Sequence, residues 1–139
     1  MLYISGHQAL NLPCSLETCG DWHTSALRWD KLDLRESNNS IFKDYGIEEC
    51  ASVPYHKGKY MIANTIRAAL DLMIDSRFGV LQGLKEDYIC NDKYTEELFN
   101  MVLKLKDEHN WENINQFMKR EYLLEWCEFI GGKCSEFSK

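Results

Sequence analysis

An α+β fold is predicted, with an irregular N-terminal half holding a few short strands and three to four packed helices in the C-terminal half. Three observations predict it. The chain changes character near residue 58: before it lie the turn-rich stretches "GHQALNLP", "ESNNS" and "SVPYHKG", and both prolines, Pro13 and Pro54. After it, apolar residues recur at helical spacing. With 139 residues, 45 % of them hydrophobic and 12 % aromatic, the chain can bury a core without covalent staples. The expected organisation is one domain over 1–139: a strand- and loop-rich part at 1–57, a helical part at 58–132 and a tail at 133–139.

Taken in order, apolar residues cluster in "MLYISG" and alternate in "LDLRE" (Leu32, Leu34), so two to four short strands or extended pieces precede residue 58. One helical turn is expected around Thr24 to Trp29. From Lys59 to Asp75, the residues Ile62, Ile66, Ala69, Leu70 and Met73 share one helical face, bracketed by Gly58 and Gly79. Val80 to Tyr88 reads as a helical turn or two. Asn91 or Asp92 can cap a third helix through Lys106, with Leu98, Met101, Val102 and Leu105 as its buried stripe. Asn110 can cap a fourth, Trp111 to Ile130, ended by Gly131-Gly132.

Two helical features bear on function. Arg67 and Asp71 have i,i+4 spacing, and a buried Arg67 would need Asp71 or a residue of "DYGIEE" as partner, which makes a structural clamp. In the last helix, Tyr122, Leu123, Leu124, Trp126, Cys127, Phe129 and Ile130 cover most of the circumference. Such a segment is either wedged centrally in the core or buries a second face on another molecule.

Charge narrows the function classes. Sixteen basic against 22 acidic residues give −6. Residues 71–139 carry nine basic and fourteen acidic side chains, a balance of −5. No basic stripe exists to neutralise phosphates, so direct nucleic-acid binding is disfavoured and a protein with a basic surface is the expected partner. The segment "KEDYICNDKYTEE" reads as a solvated acidic rim, with a docking patch as the alternative. No apolar run approaches the roughly 18 residues of a membrane helix, and the N-terminus lacks a secretion signal, so a cytoplasmic protein is expected. The six cysteines are then expected as reduced thiols, with Cys90 and Cys127 acting as small core residues.

"PCSLETCGDWHTSALRW" concentrates the candidate chemistry. Cys14, Cys19 and His23 are spaced C-x4-C-x3-H, with His7 upstream, and thiolate with imidazole is what zinc binds. No C-x2-C pair occurs, however, and these residues also pack well beside Trp22, so packing outweighs metal and no cofactor is expected. A general acid–base site could use His23 with Asp21 or Asp44 on a nucleotide or nucleic-acid substrate. Asp21 as a helix cap explains the same residues more simply. Phosphate-binding, dinucleotide, nucleophile-elbow and zinc-protease motifs are all missing.

"GDWH" (Gly20 to His23), "DYGIEE" (Asp44 to Glu49) and "ANTIRAALDLM" (Ala63 to Met73) resemble short bacterial proteins found near nucleotidyltransferase-like toxin genes. The resemblance implies an antitoxin-like or defence-linked role and carries no functional residue with it. Together with the charge and the surplus apolar helix, it leads to the expectation of a small acidic module that inhibits or regulates a protein partner, in bacteria or their phages. Its expected contacts are Trp111, Tyr122, Trp126 and Phe129, rimmed by Glu112, Glu121, Glu125 and Glu128. A homo-oligomer built on the same surface is the other arrangement.

Overall fold

The computed structural model describes residues 1–16, 27–50 and 52–133. Four short strands, β1 (Leu2–Ile4), β2 (Leu34–Glu36), β3 (Ile47–Cys50) and β4 (Tyr60–Ala63), form a mixed sheet in the order β2-β1-β4-β3. β1 runs parallel to β4 and antiparallel to β2, and β3 is antiparallel to β4. The helices are α1 (Gly6–Leu10), α2 (Thr65–Ile74), α3 (Thr95–Leu103), α4 (Trp111–Tyr122) and α5 (Leu124–Lys133), joined by single 3-10 and π turns. The α+β class holds, with the strands gathered toward the N-terminus.

Strand alternation divides the apolar residues between the two sheet faces. Ile4 and Ile62, partners in the parallel β1–β4 register, are both fully buried in a small core with Leu12, Trp29 and Val53. Their neighbours Tyr3 and Ala63 belong to the larger core under the helices. α2 lies at its centre: every residue from Ile66 to Met73 is buried, Arg67 and Asp71 included.

Several element boundaries differ from the sequence expectation. Lys59 to Ala63 does not begin the long helix; Tyr60–Ala63 is strand β4, held between β1 and β3. Ile62 suits either period, and sheet pairing decides. The switch falls at Asn64, whose N–H donates to the Gly46 carbonyl at 2.7 Å while its side chain accepts from Arg67 N–H at 2.9 Å as the helix cap. Gly46 has φ +73°, and a Cβ there would lie 2.7 Å from the Arg67 Cβ, so glycine is required at this close approach. The five-residue α1 was too short to show a period. Its Gln8 amide ties down the loop before β2, donating to Arg28 and Lys31 carbonyls at 3.0 Å and accepting from Asp33 N–H at 2.8 Å.

The C-terminal helices also differ. α3 ends at Leu103 rather than Lys106. Asn110 precedes α4 but does not cap it with its side chain. Its amide instead donates to the Met73 carbonyl and Ser76 Oγ, both at 2.8 Å, and so closes the C-terminal end of α2. The expected single helix from Trp111 to Ile130 is broken at Leu123 (φ 52°, ψ −124°), and α5 continues through Gly131-Gly132 to Lys133. The break resolves the over-apolar segment. Tyr122, Trp126 and Ile130 turn into the core, while Leu123 and Leu124 are left 67 % and 74 % exposed. Among the described residues, no helix is long and apolar enough to cross a membrane.

Candidate functional site

Two charged constellations stand out, and they are built in opposite ways. The first surrounds Arg67. Its Nε meets Asp71 Oδ1 at 3.2 Å, Nη1 donates to the carbonyls of Lys43 (2.7 Å) and Tyr45 (2.5 Å), and Nη2 donates to Tyr3 Oη at 3.0 Å. The Tyr3 hydroxyl in turn donates to Asp71 Oδ2 at 2.7 Å, as does the Ser5 hydroxyl at 2.6 Å. The guanidinium lies 4.9 Å from the Tyr3 ring centre. Burial, reinforced by the adjacent Asp71 carboxylate, pushes the Tyr3 phenol up to about 12. Every polar group of the cluster has a partner, as a buried charge demands. The Arg67–Asp71 clamp is thus as the sequence spacing indicates, and Tyr45 of "DYGIEE" contributes a carbonyl to it.

A cavity of about 440 Å³ opens beside this cluster, between Tyr3, Arg35, Asp71 and Asp75. Its one cation is already engaged: Arg35 Nη2 pairs with Asp33 at 3.0 Å and Asp75 at 2.9 Å.

The second constellation is a groove of about 550 Å³ where α5 crosses the start of α3. The Asn91 side chain accepts from Lys93 N–H at 3.1 Å and sets the 3-10 turn that presents Asp92. Glu96 follows in the first turn of α3, where a carboxylate also suits the helix dipole. From α5 come Glu125 and Glu128, three residues apart on one face. The floor is aromatic: Phe99 and Phe129 stand 5.3 Å apart, and both pack on Trp126, Phe99 edge-on at 5.1 Å and Phe129 stacked at 5.6 Å. Trp126 is fixed from below by its Nε1–H, which donates to Asn115 Oδ1 at 2.8 Å. Glu125 pairs with Lys85 at 2.9 Å. Among the described residues, Asp92, Glu96 and Glu128 have no ion-pair partner.

The structure sorts the sequence-predicted contact residues. Glu125, Glu128 and Phe129 converge in the groove. Trp111, Tyr122 and Trp126 are corrected: they are 8 %, 2 % and 0 % exposed and serve as core, the first two on the buried face of α4 and Trp126 beyond the break at Leu123. Glu121 faces inward too, accepting from the N–H groups of Gly83 and Lys85 at 3.2 Å. Glu112 is exposed on the first turn of α4 and does not line the groove. Sequence reasoning missed Asp92, Glu96 and Phe99 as one surface with α5. The acidic run "KEDYICNDKYTEE" was the available signal.

Of the other candidates, Cys19, Asp21, Trp22 and His23 lie outside the described residues. Asp44 is exposed in a turn. Cys14 Sγ sits 3.4 Å from Thr65 Oγ1, and burial together with the nearby Arg77 charge holds the His7 imidazole below its usual range. Among the described residues, no group of three His, Cys, Asp or Glu side chains is placed to hold a metal ion. Cys14, Cys50 and Cys127 are free thiols, Cys127 exposed rather than in the core. Cys90 is disulfide-bonded, contrary to the expectation of reduced thiols throughout.

Fold and groove together define a small α+β protein with an acid-rimmed aromatic recess. Comparison with protein-family models, with curated proteins and with solved structures gives no match.

Proposed function

We propose that this protein is a small acidic binding module that restrains a protein partner carrying a basic surface, in the manner of an antitoxin or a defence inhibitor. One observation carries the reading: the α3–α5 groove gathers four carboxylates, of which only Glu125 has an ion-pair partner among the described residues, above an aromatic floor. Keeping Asp92, Glu96, Glu125 and Glu128 together costs mutual repulsion, which a cationic partner relieves. The exposed Leu123 and Leu124, just before Glu125 in sequence, add apolar area. The resemblance to bacterial proteins found near toxin genes favours inhibition as the outcome of binding.

The test uses the product of a neighbouring toxin-like or defence gene as partner. Reversing charge with Glu125→Lys and Glu128→Lys is expected to weaken binding by about 100-fold, the cost of two lost charge pairs replaced by repulsion. Unchanged affinity removes the reading.

A further inference from the structure

We propose that a second copy of this chain pairs with it along β2, so that two four-stranded sheets join into one across a two-fold axis at Leu34. Independent of the binding-module reading, this pairing follows from backbone hydrogen bonding. β2 is an outer strand, bonded to β1 alone. Ser5 N–H donates to the Asp33 carbonyl at 3.0 Å, and Ser37 N–H donates to the Met1 carbonyl at 2.9 Å. Antiparallel partners alternate between bonded and non-bonded pairs, so Asp33, Arg35 and Ser37 turn their backbone groups to β1. Leu34 and Glu36 turn theirs outward, and those groups find no partner among the described residues. An open row of N–H and C=O groups is a template for another strand. Leu34, Arg35 and Glu36 all line the cavity of about 440 Å³, so the edge is open to an approaching chain.

The side chains say which strand. Leu34 lies opposite Ile4, on the sheet face of the small core, where Ile4 is fully buried but Leu34 is 48 % exposed. Leu2, its diagonal neighbour on that face, is 60 % exposed. With Leu34 set against Leu34 of the copy, the two exchange both backbone bonds. The apolar row then runs from one Ile4 through both leucines to the other.

Charge complementarity fixes the register. On the opposite face, the same alignment lays Asp33 against the copy's Arg35 on each side of the axis. Within its own chain Arg35 pairs with Asp33 at 3.0 Å and Asp75 at 2.9 Å, two carboxylates to one guanidinium, so a second guanidinium is drawn in. Sliding the strands by two residues sets Arg35 against Arg35 in one direction and Asp33 against Asp33 in the other. A slide of one brings outward groups against inward ones. One register is left for so short a strand. The other edge lacks this fit: β3 carries Glu48 and Glu49 in succession, and Ile47 N–H already donates to the Asp44 carbonyl at 3.2 Å.

Sedimentation equilibrium of the full chain tests the pairing. The mass is expected to rise from 16.3 kDa toward twice that value as concentration passes about 100 µM, as suits a small two-fold contact. Leu34→Pro deletes an outward N–H without touching the β1 ladder and is expected to leave a folded monomer. Asp33→Arg and Arg35→Asp each set like charges across the axis, and each is expected to weaken self-association about tenfold or more. Mixed in equal amounts, these two variants complement each other and are expected to restore a dimer holding one chain of each. Circular dichroism confirms that each variant is folded; if Arg35→Asp is not, Leu34→Pro and Asp33→Arg decide. A chain that stays monomeric across the range, a dimer that Leu34→Pro or Asp33→Arg leaves intact, or folded charge variants that stay apart when mixed overturns the proposal.

Discussion

Arg67 and the α3–α5 groove both concentrate charge, but only one of them is finished. Around Arg67 each donor and acceptor is matched within the chain, and the pair is 0 % and 4 % exposed. In the groove, three of four carboxylates lack an ion-pair partner among the described residues. The difference separates structure from recognition. A charge taken out of water must be satisfied internally, or the fold fails. One left at a groove can wait for its partner at little cost in stability.

The sharpest way to break the contrast is Asp71→Ala. It leaves Arg67 buried and uncompensated, so a loss of about 3–5 kcal/mol is expected in urea denaturation. Replacing both members, Arg67→Met with Asp71→Leu, is expected to recover most of that loss, because the desolvation cost vanishes with the charges. A double variant as damaged as the single one would show that the clamp stabilises by its geometry rather than by charge pairing.

The two buried tyrosines give the next largest effect. Tyr3→Phe removes a hydroxyl bonded to both Arg67 and Asp71 and is expected to cost about 1–3 kcal/mol. Tyr122→Phe removes a hydroxyl that has no hydrogen-bond partner among the described residues and is expected to be neutral or stabilising within about 0.5 kcal/mol. Equal losses would dissolve the distinction between the regions.

Alkaline titration tests the same pair from another side. Burial, with carboxylates beside them, holds the Tyr3 phenol up to about 12 and raises those of Tyr45 and Tyr122 further. The unfolded phenols ionise near 10, so between about pH 10 and 12 the unfolded chain has given up protons that the folded chain retains. Stability is therefore complete below about pH 10 and falls as pH rises through the folded values. Denaturation midpoints measured across that window are expected to decline, and Tyr3→Phe is expected to flatten the slope.

The smallest effect belongs to the groove rim. Glu96→Gln and Glu128→Gln are expected to change stability by less than about 0.5 kcal/mol, or to raise it slightly as repulsion eases. A loss comparable to that of Asp71→Ala would show these carboxylates to be structural.

Much of this was readable in the chain before folding was considered. The change of pattern near residue 58 gave the α+β class, and the Arg67–Asp71 spacing gave the clamp, since both are local periodicities. Elements failed where two periods coincide. Ile62 suits helix and strand alike, and only pairing with β1 and β3 makes Tyr60–Ala63 a strand. The last helix failed for a different reason: no glycine or proline marks Leu123, so nothing local announces the break.

The sequence by itself determined how much acid this protein carries and which residue types could stay buried together, because composition and short spacings are properties of the chain alone. Tertiary structure decided which of those acids meet. Asp92 and Glu96 stand about thirty residues before Glu125 and Glu128, and each set alone reads as a solvated helix face. Trp126, drawn into the core by the turn at Leu123, pulls Phe129 against Phe99 and brings the two acidic faces to one groove. That convergence comes from packing aromatic rings out of water.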